Sequence, residues 1–397
     1  MRMREVIVNN TIVFMLVLFM CFSVIAMESS MSIKTTEIID NEITESKLQS
    51  SLGVNFGTSN NVGRLSTQIA GTYSKINPSI TYERSFGDTT LINSELSMDF
   101  KRYLEKNSAE LGDEQSFELT TTALSFLTEN LELGGDLVLR QIKNSIPMQM
   151  NDADTNAIFQ EYIEPDLRVN LMWSLQENIA IEQGLSVVSR KNSEILLDRG
   201  NSFYNDFVAT GGDLKLTFEL SPYLKVSVKG ILEDKRYSEK PADYTDGAAS
   251  GPVAANPTLY EISNEYLVFL ETEVGKVKLV TIPAYRINKD KIYGARDSNT
   301  FRIQQKIIMA ISRKLSWSAT IAMSEEKFTQ FRSAPESNPF GGDFRTDTEI
   351  KISSPIKYSI NEQFQIMAEY VSIRKDSNYA NSSYSEQVLS AGINLLL

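Results

Sequence analysis

Polar side chains, many of them ionisable, recur at every second position along several long stretches of this chain. Asp166, Arg168 and Asn170 alternate with Leu167, Val169 and Leu171, and Asp213, Lys215 and Glu219 alternate with Leu214, Leu216 and Leu220. Arg302 and Lys306 likewise interleave with Phe301, Ile303 and Ile307. The Asp, Glu, Lys and Arg among them carry fixed charge, and the composition removes most other chemistry. The chain has no histidine and one cysteine, Cys21. Ser-His-Asp and Cys-His nucleophilic catalysis, imidazole acid–base work and histidine-ligated zinc are therefore excluded. A disulfide within the chain and a thiolate metal cluster are excluded as well. A net charge of −12 argues against a nucleic-acid partner, which needs a basic face. The run Asp152-Ala153-Asp154-Thr155-Asn156 opens like a calcium loop, but Ala157 stands where a glycine is needed and Ile163 where a bidentate Glu is needed. No metal and no cofactor is expected.

The elements that position these charges are strands, because only a strand turns successive side chains to opposite faces. The runs are about 11 to 16 residues long, whereas strands of soluble proteins are about five or six. A strand crossing a bilayer needs about 9–11 residues. Arg, Lys, Asp and Glu on nearly every polar face could not be buried dry, at several kcal/mol each. The polar faces must meet water, which leaves the apolar faces to lipid. Past residue 26 no stretch approaches the roughly 18 apolar residues of a membrane helix.

Arg2 and Arg4 precede an apolar run, Ile12 to Phe22, that closes at Ser23-Val24-Ile25-Ala26. This pattern is that of a secretory signal peptide, residues 1–26. Residues 27–46 would then form a short periplasmic segment and residues 47–397 the strand-bearing body. Connectors alternate in length: short turns such as Glu129-Asn130, Gln176-Glu177-Asn178 and Asn361-Glu362, then long hydrophilic excursions. The long set is Asn144–Ala157, Lys191–Asn205, Arg236–Pro257, Asn288–Asn299, Glu326–Phe344 and Lys375–Ser383. Counting between them gives about sixteen strands, with fourteen and eighteen as alternatives. Arg64–Arg84, which contains Pro78, reads either as one strand or as two short ones.

At the carboxyl end, Ser390, Gly392, Leu395 and Leu397 fall in the frame of the signal read by the outer-membrane barrel assembly machinery, although a terminal Phe or Trp is more usual there than Leu397. With the strand pattern and the alternating connectors, the chain resembles a bacterial outer-membrane β-barrel of porin-like type. The resemblance covers essentially the whole mature chain, from residue 27 onward, and rests on pattern rather than on long motifs. It implies an all-β antiparallel transmembrane barrel with short periplasmic turns and long extracellular loops, located in the outer membrane. It also implies a homotrimer by analogy, and outer-membrane lipid, lipopolysaccharide and the assembly machinery as partners.

Sixteen strands enclose an aqueous bore. Lumen-lining candidates by the alternation are Glu95, Asp99, Lys101, Asp136, Arg140, Arg168, Glu182, Arg190, Lys215, Lys229, Glu261, Glu265, Arg286, Arg302 and Lys306. Glu261, Glu265 and Glu271 share a face that Lys278 and Arg286 of the next segment would oppose by cross-strand pairing. Tyr103, Phe117, Trp173, Tyr223, Tyr285, Phe301, Trp317, Tyr358 and Tyr370 are expected in interfacial girdles. The Phe-rich stretch Glu326–Phe344 and the Gly/Pro/Ala-rich stretch Arg236–Pro257 are expected as loops, the second a candidate constriction. The expected function is passive diffusion of ions and small hydrophilic solutes. Two alternatives stay open: a non-conducting barrel whose loops bind a partner, and a substrate-specific outer-membrane transporter. Outer-membrane enzymes of this architecture rely on histidine, so an enzyme is not expected.

Overall fold

The computed structural model describes residues 46–61, 70–86, 89–104, 114–149, 155–192, 196–198, 201–203, 206–241, 257–292, 296–332, 344–378 and 383–397. The amino-terminal segment, including the signal-peptide stretch, and the calcium-like run 152–154 lie outside these residues.

Sixteen antiparallel strands close into a barrel. They are β1 (Ser46–Ser59), β2 (Gly71–Phe86), β3 (Thr90–Tyr103), β4 (Glu114–Thr128), β5 (Leu131–Gln149), β6 (Thr155–Gln176), β7 (Ile179–Asn192), β10 (Phe207–Ser221) and β11 (Leu224–Pro241). The circuit continues through β12 (Thr258–Val274), β13 (Val277–Asp290), β14 (Ser298–Ala310), β15 (Leu315–Arg332), β16 (Phe344–Ser359), β17 (Phe364–Ser377) and β18 (Tyr384–Leu396). Two short strands, β8 (Leu196–Asp198) and β9 (Asn201–Phe203), pair only with each other, between β7 and β10. β1 meets β18 with Ser51 opposite Leu396, and Ser50 and Leu397 exchange backbone hydrogen bonds of 2.8 and 3.1 Å. Each of the sixteen barrel strands thus has two neighbours, and the barrel leaves no sheet edge to satisfy in lipid.

Turns of two residues join β4 to β5, β6 to β7, β10 to β11 and β12 to β13 at one rim. The longer four-residue turns there are braced by side chains: Ser312 Oγ accepts from the Lys314 and Leu315 amides, and Asn361 Oδ1 from those of Gln363 and Phe364. At the opposite rim the long connections are shorter than their composition suggests. β5 continues to Gln149, β11 to Pro241 and β15 to Arg332, so Phe328 and Phe331 lie in a strand and not in a loop. The reason is that a hairpin ladder can extend into water beyond the membrane, where both faces are wet and the apolar alternation is no longer required.

Arg64–Arg84 also resolves. From Gly71 onward it is a single strand that runs through Pro78. A mid-strand proline lacks a donor, and the barrel handles this in one recurring way. Near Pro78, Pro165, Pro283 and Pro355 one ladder skips two residues and resumes without a change of register: β2–β3, β6–β7, β12–β13 and β15–β16 respectively. The ladder on the other side of each strand continues through the proline. This keeps the alternation in phase past each interruption.

The outer wall is apolar and exposed: Phe56 is 58% accessible and Leu185 72%. On β11, Leu224 to Leu232 form this wall with no charged residue turned outward. Nine residues tilted about 40° span roughly 23 Å, close to the height of a bilayer's apolar band. The chain is built to cross a membrane with strands.

Candidate functional site

The site is the bore. The register puts Glu95, Asp99 and Lys101 of β3, Asp136 and Arg140 of β5, Arg168 of β6, and Glu182 and Arg190 of β7 on the inward face. It does the same for Lys215 of β10, Lys229 of β11, Glu261 and Glu265 of β12, Arg286 of β13, and Arg302 and Lys306 of β14. Most of these charges do not stand alone. They are gathered into networks that jump from strand to strand.

In the first network, the Arg168 guanidinium donates to Glu182 at 3.2 Å and to Asp213 at 2.9 Å. Lys229 reaches Asp213 at 3.1 Å, and Lys215 reaches Glu182 at 3.5 Å. In a second, Arg140 bridges Glu118 at 2.6 Å and Glu164 at 3.5 Å, while Arg190 holds the other Glu164 oxygen at 2.6 Å. The Arg190 guanidinium also lies 4.1 Å over the Tyr162 ring and 5.0 Å from that of Phe207. A third surrounds Lys101, which pairs with Glu114 at 3.3 Å and sits 4.6 and 4.7 Å from the rings of Tyr73 and Tyr103. Tyr103 Oη donates to Glu114 at 2.6 Å, and Lys75 pairs with Asp99 at 3.1 Å.

The glutamate strip on β12 is divided among neighbours, though not by direct opposition throughout. Glu271 pairs with Lys278 at 3.0 Å. Glu265 faces Arg286 in the register, yet its ion pair is with Arg302 at 2.9 Å, two strands away. Arg286 turns instead toward Glu233 at 3.6 Å and donates to Ser263 at 3.0 Å. Glu261 accepts from Tyr237 Oη at 3.3 Å. Side chains leaning along the strand reach diagonal partners as readily as opposed ones, and the pleat alone does not choose between them.

Tyr103 is a correction. It is buried inside the bore beside Tyr73, 6.2 Å between ring centroids. Odd-numbered residues of β3 face inward, so this tyrosine cannot join an outer girdle. Trp173, Tyr285, Phe301, Tyr358 and Tyr370 are exposed on the outer wall, and Trp317 there donates from Nε1 to Ser354 Oγ at 3.0 Å.

Sequence reasoning missed Lys75, Glu114, Glu118, Glu164 and Glu233 as members of these networks. Glu164 was within reach: it keeps the phase of Asp166 and Arg168, but sits before Pro165, where the strand pattern looks broken. Lys75 was hidden by the uncertain strand around Pro78.

Open space remains inside. A cavity of about 720 Å³ is bounded by Asp99, Lys101 and Glu114 on one wall and by Gln304, Thr320 and Lys351 on the other. A second, of about 340 Å³, lies among Glu233, Lys235, Glu261, Arg286, Arg302 and Glu326. A polar cavity with charges on its walls holds water.

At the carboxyl end, Ser390 and Gly392 face inward, while Leu389, Ala391, Ile393 and Leu395 form the outward face of β18 at the closing seam. A Cβ on Gly392 would overlap the Asn55 carboxamide and the Val54 carbonyl of β1.

No family model matches the sequence. No curated protein matches it either. Solved structures do. Acinetobacter baumannii OccAB1 aligns with a TM-score of 0.49 at 10% identity, over 89% of this chain and 97% of that one. Pseudomonas aeruginosa OpdK, solved with vanillate, gives 0.47 at 8% identity, over 88% and 99%. A loop-deletion form of OmpT, an outer membrane protein of Vibrio cholerae, gives 0.47 at 9% identity, over 90% and 100%.

Proposed function

We propose that this chain is an outer-membrane channel through which ions and small hydrophilic solutes diffuse passively. One observation carries this: the bore contains an open cavity that reaches from β2–β5 to β14–β18, with charged side chains on both of its walls. An interior filled by its own side chains, as in narrow barrels, would leave no such space.

Some inward charges are left outside the ion pairs. Among the described residues no ion pair engages Lys306 of β14 or Lys351 of β16, and the same holds for Glu132 of β5 and Asp166 of β6. β15, between the two lysine strands, stands halfway around the barrel from β5. Glu326 of β15, Glu349 of β16 and Glu369 of β17 are held by hydroxyls and not by ion pairs, so that wall presents charges of both signs, which weight solutes without binding them tightly. The homotrimer belongs to this proposal only as an expectation of the architecture.

The test is conductance of the refolded full chain in a planar bilayer. Stepwise openings that scale with salt concentration support the channel. A correctly folded barrel that stays silent would overturn it in favour of a non-conducting interaction barrel. Swelling of liposomes in a panel of sugars and organic acids then separates general diffusion from a substrate-specific transporter.

A further inference from the structure

The smaller of the two cavities lies toward the long-loop ends of β11 to β15, at one mouth of the bore. Its lining holds three cations, Lys235, Arg286 and Arg302, and four carboxylates, Glu233, Glu261, Glu265 and Glu326. A solute with charge of one sign meets repulsion there as well as attraction. A solute that carries both signs can satisfy both.

What is left for a solute depends on how these charges are already used. Both arginines lean toward β11 and β12. Nη2 of Arg286 meets Glu233 at 3.6 Å and donates to Ser263 Oγ at 3.0 Å, and Nη2 of Arg302 donates to Glu265 at 2.9 Å. Among the described residues nothing engages Nε or Nη1 of either guanidinium. The two side chains are nearly half exposed, at 44% and 45%. Arg286 stands opposite Thr300, and Arg302 is two residues further along β14, so the pair are diagonal neighbours on one wall. Open donor edges on adjacent guanidiniums match the planar acceptor pair of a carboxylate.

Glu326 supplies the opposite sign. It faces Thr300 across the β14–β15 ladder, diagonal to Arg302. Ser298 Oγ donates to its Oε1 at 2.7 Å, and no ion pair joins it to a described residue. Asp347, opposite it on β16, is already held by Arg345 at 2.7 Å and Lys375 at 3.1 Å. The second oxygen of Glu326 and the Thr300 hydroxyl are therefore acceptors open to an ammonium. The far wall closes on itself: Lys235 lies 3.9 Å from the Phe207 ring and opposite Glu261, which accepts from Tyr237 Oη at 3.3 Å.

We propose that this mouth cavity binds the zwitterionic head of an α-amino acid, its carboxylate across Arg286 and Arg302 and its ammonium on Glu326. A single carbon separates the two ends of such a solute. Diagonal positions on adjacent strands are about 7–8 Å apart, which lets side chains of this length hold both ends at once. The site rests on the reading of the bore as a wet channel and gives that channel an entry point. Two half-exposed contacts hold a solute loosely enough for it to move on.

The full chain, refolded in detergent, is titrated with L-alanine, with propionate and with ethylammonium, and binding is read by saturation-transfer NMR, which needs no current. At neutral pH L-alanine should bind about fivefold or more tightly than propionate, which lacks the ammonium, and than ethylammonium, which lacks the carboxylate. R286Q/R302Q should lose about fivefold or more for L-alanine while holding ethylammonium at least as well as wild type. E326Q should lose as much for L-alanine while holding propionate at least as well. K225Q, at the opposite rim, should stay within about twofold of wild type for all three probes. Heat-modified gel mobility confirms that each variant folds, and if the double arginine variant does not, E326Q with the three probes carries the test. Equal binding of L-alanine and either single-ended analogue, or equal loss in E326Q and K225Q, would overturn the assignment. A conducting barrel indifferent to L-alanine would sink the site and leave the channel. A barrel that binds L-alanine but passes no current would sink the channel and leave the site.

Discussion

Arg168 and Asp213 are joined at 2.9 Å although β7 runs between their strands. The residue of β7 lying between them is Gly184, opposite Asn170 on one side and Asp213 on the other. A Cβ there would stand 2.5 Å from the Asp213 carboxylate and 3.1 Å from the Arg168 guanidinium. The missing side chain is the passage through which the ion pair is made.

Gly184→Ala should therefore break the Arg168–Asp213 contact while leaving β7 in place. Asp213 is 7% exposed, so displacing its partner should lower unfolding stability by about 1–3 kcal/mol, read from urea titration in lipid vesicles. In a D213A background the same substitution should cost markedly less. Fully additive losses would show that Gly184 acts only on the backbone of β7.

The unpaired lysines should govern ion preference. Across about 10 Å of water-like dielectric a unit charge is worth roughly 0.4 kcal/mol, about a factor of two in ion occupancy. Replacing Lys306 and Lys351 with Gln should move the reversal potential in a KCl gradient toward cation preference, by about two- to fourfold in permeability ratio. Replacing the paired Lys278 with Gln should shift it less. An unchanged potential in the double variant would remove both lysines from the conduction path.

Closure at the seam should depend on Gly392. Gly392→Ala places a methyl group against the Val54 carbonyl, a backbone atom that cannot swing aside. Refolding yield on a heat-modifiable gel should fall, and Asn55→Ala in the same chain should restore little of it. Wild-type yield from Gly392→Ala would mean that β18 shifts freely against β1.

The interrupted ladders give a prediction of opposite sign. Pro283 faces lipid and costs the β12–β13 ladder its pairing at this point. Pro283→Val restores a donor and a β-branched side chain, and should raise stability by about 1 kcal/mol in the same urea titration. A destabilised variant would show that the local backbone is shaped around the ring.

Alternation alone made the wall legible. Leu167 and Arg168 must face opposite ways in any strand, so lipid and lumen sides follow residue by residue. The lengths of the runs with the two connector classes point to about sixteen strands, a count that only the closed barrel decided against fourteen and eighteen. The misreadings cluster where that alternation carries no information. Beyond the bilayer both faces are wet, so β5, β11 and β15 run on into stretches whose composition is that of loops. Tyr103 was misplaced because its hydrophobic character was weighed and the parity of its strand was not.

What only the folded barrel decided is who meets whom inside. Glu265 passes over the opposed Arg286 for Arg302, and Arg168 reaches past β7 to Asp213. Such partners depend on strand tilt, side-chain reach and the gaps that glycines leave, which couple residues far apart in the chain. A linear pattern with a period of two assigns each side chain its face, but holds no information about distance around the circumference.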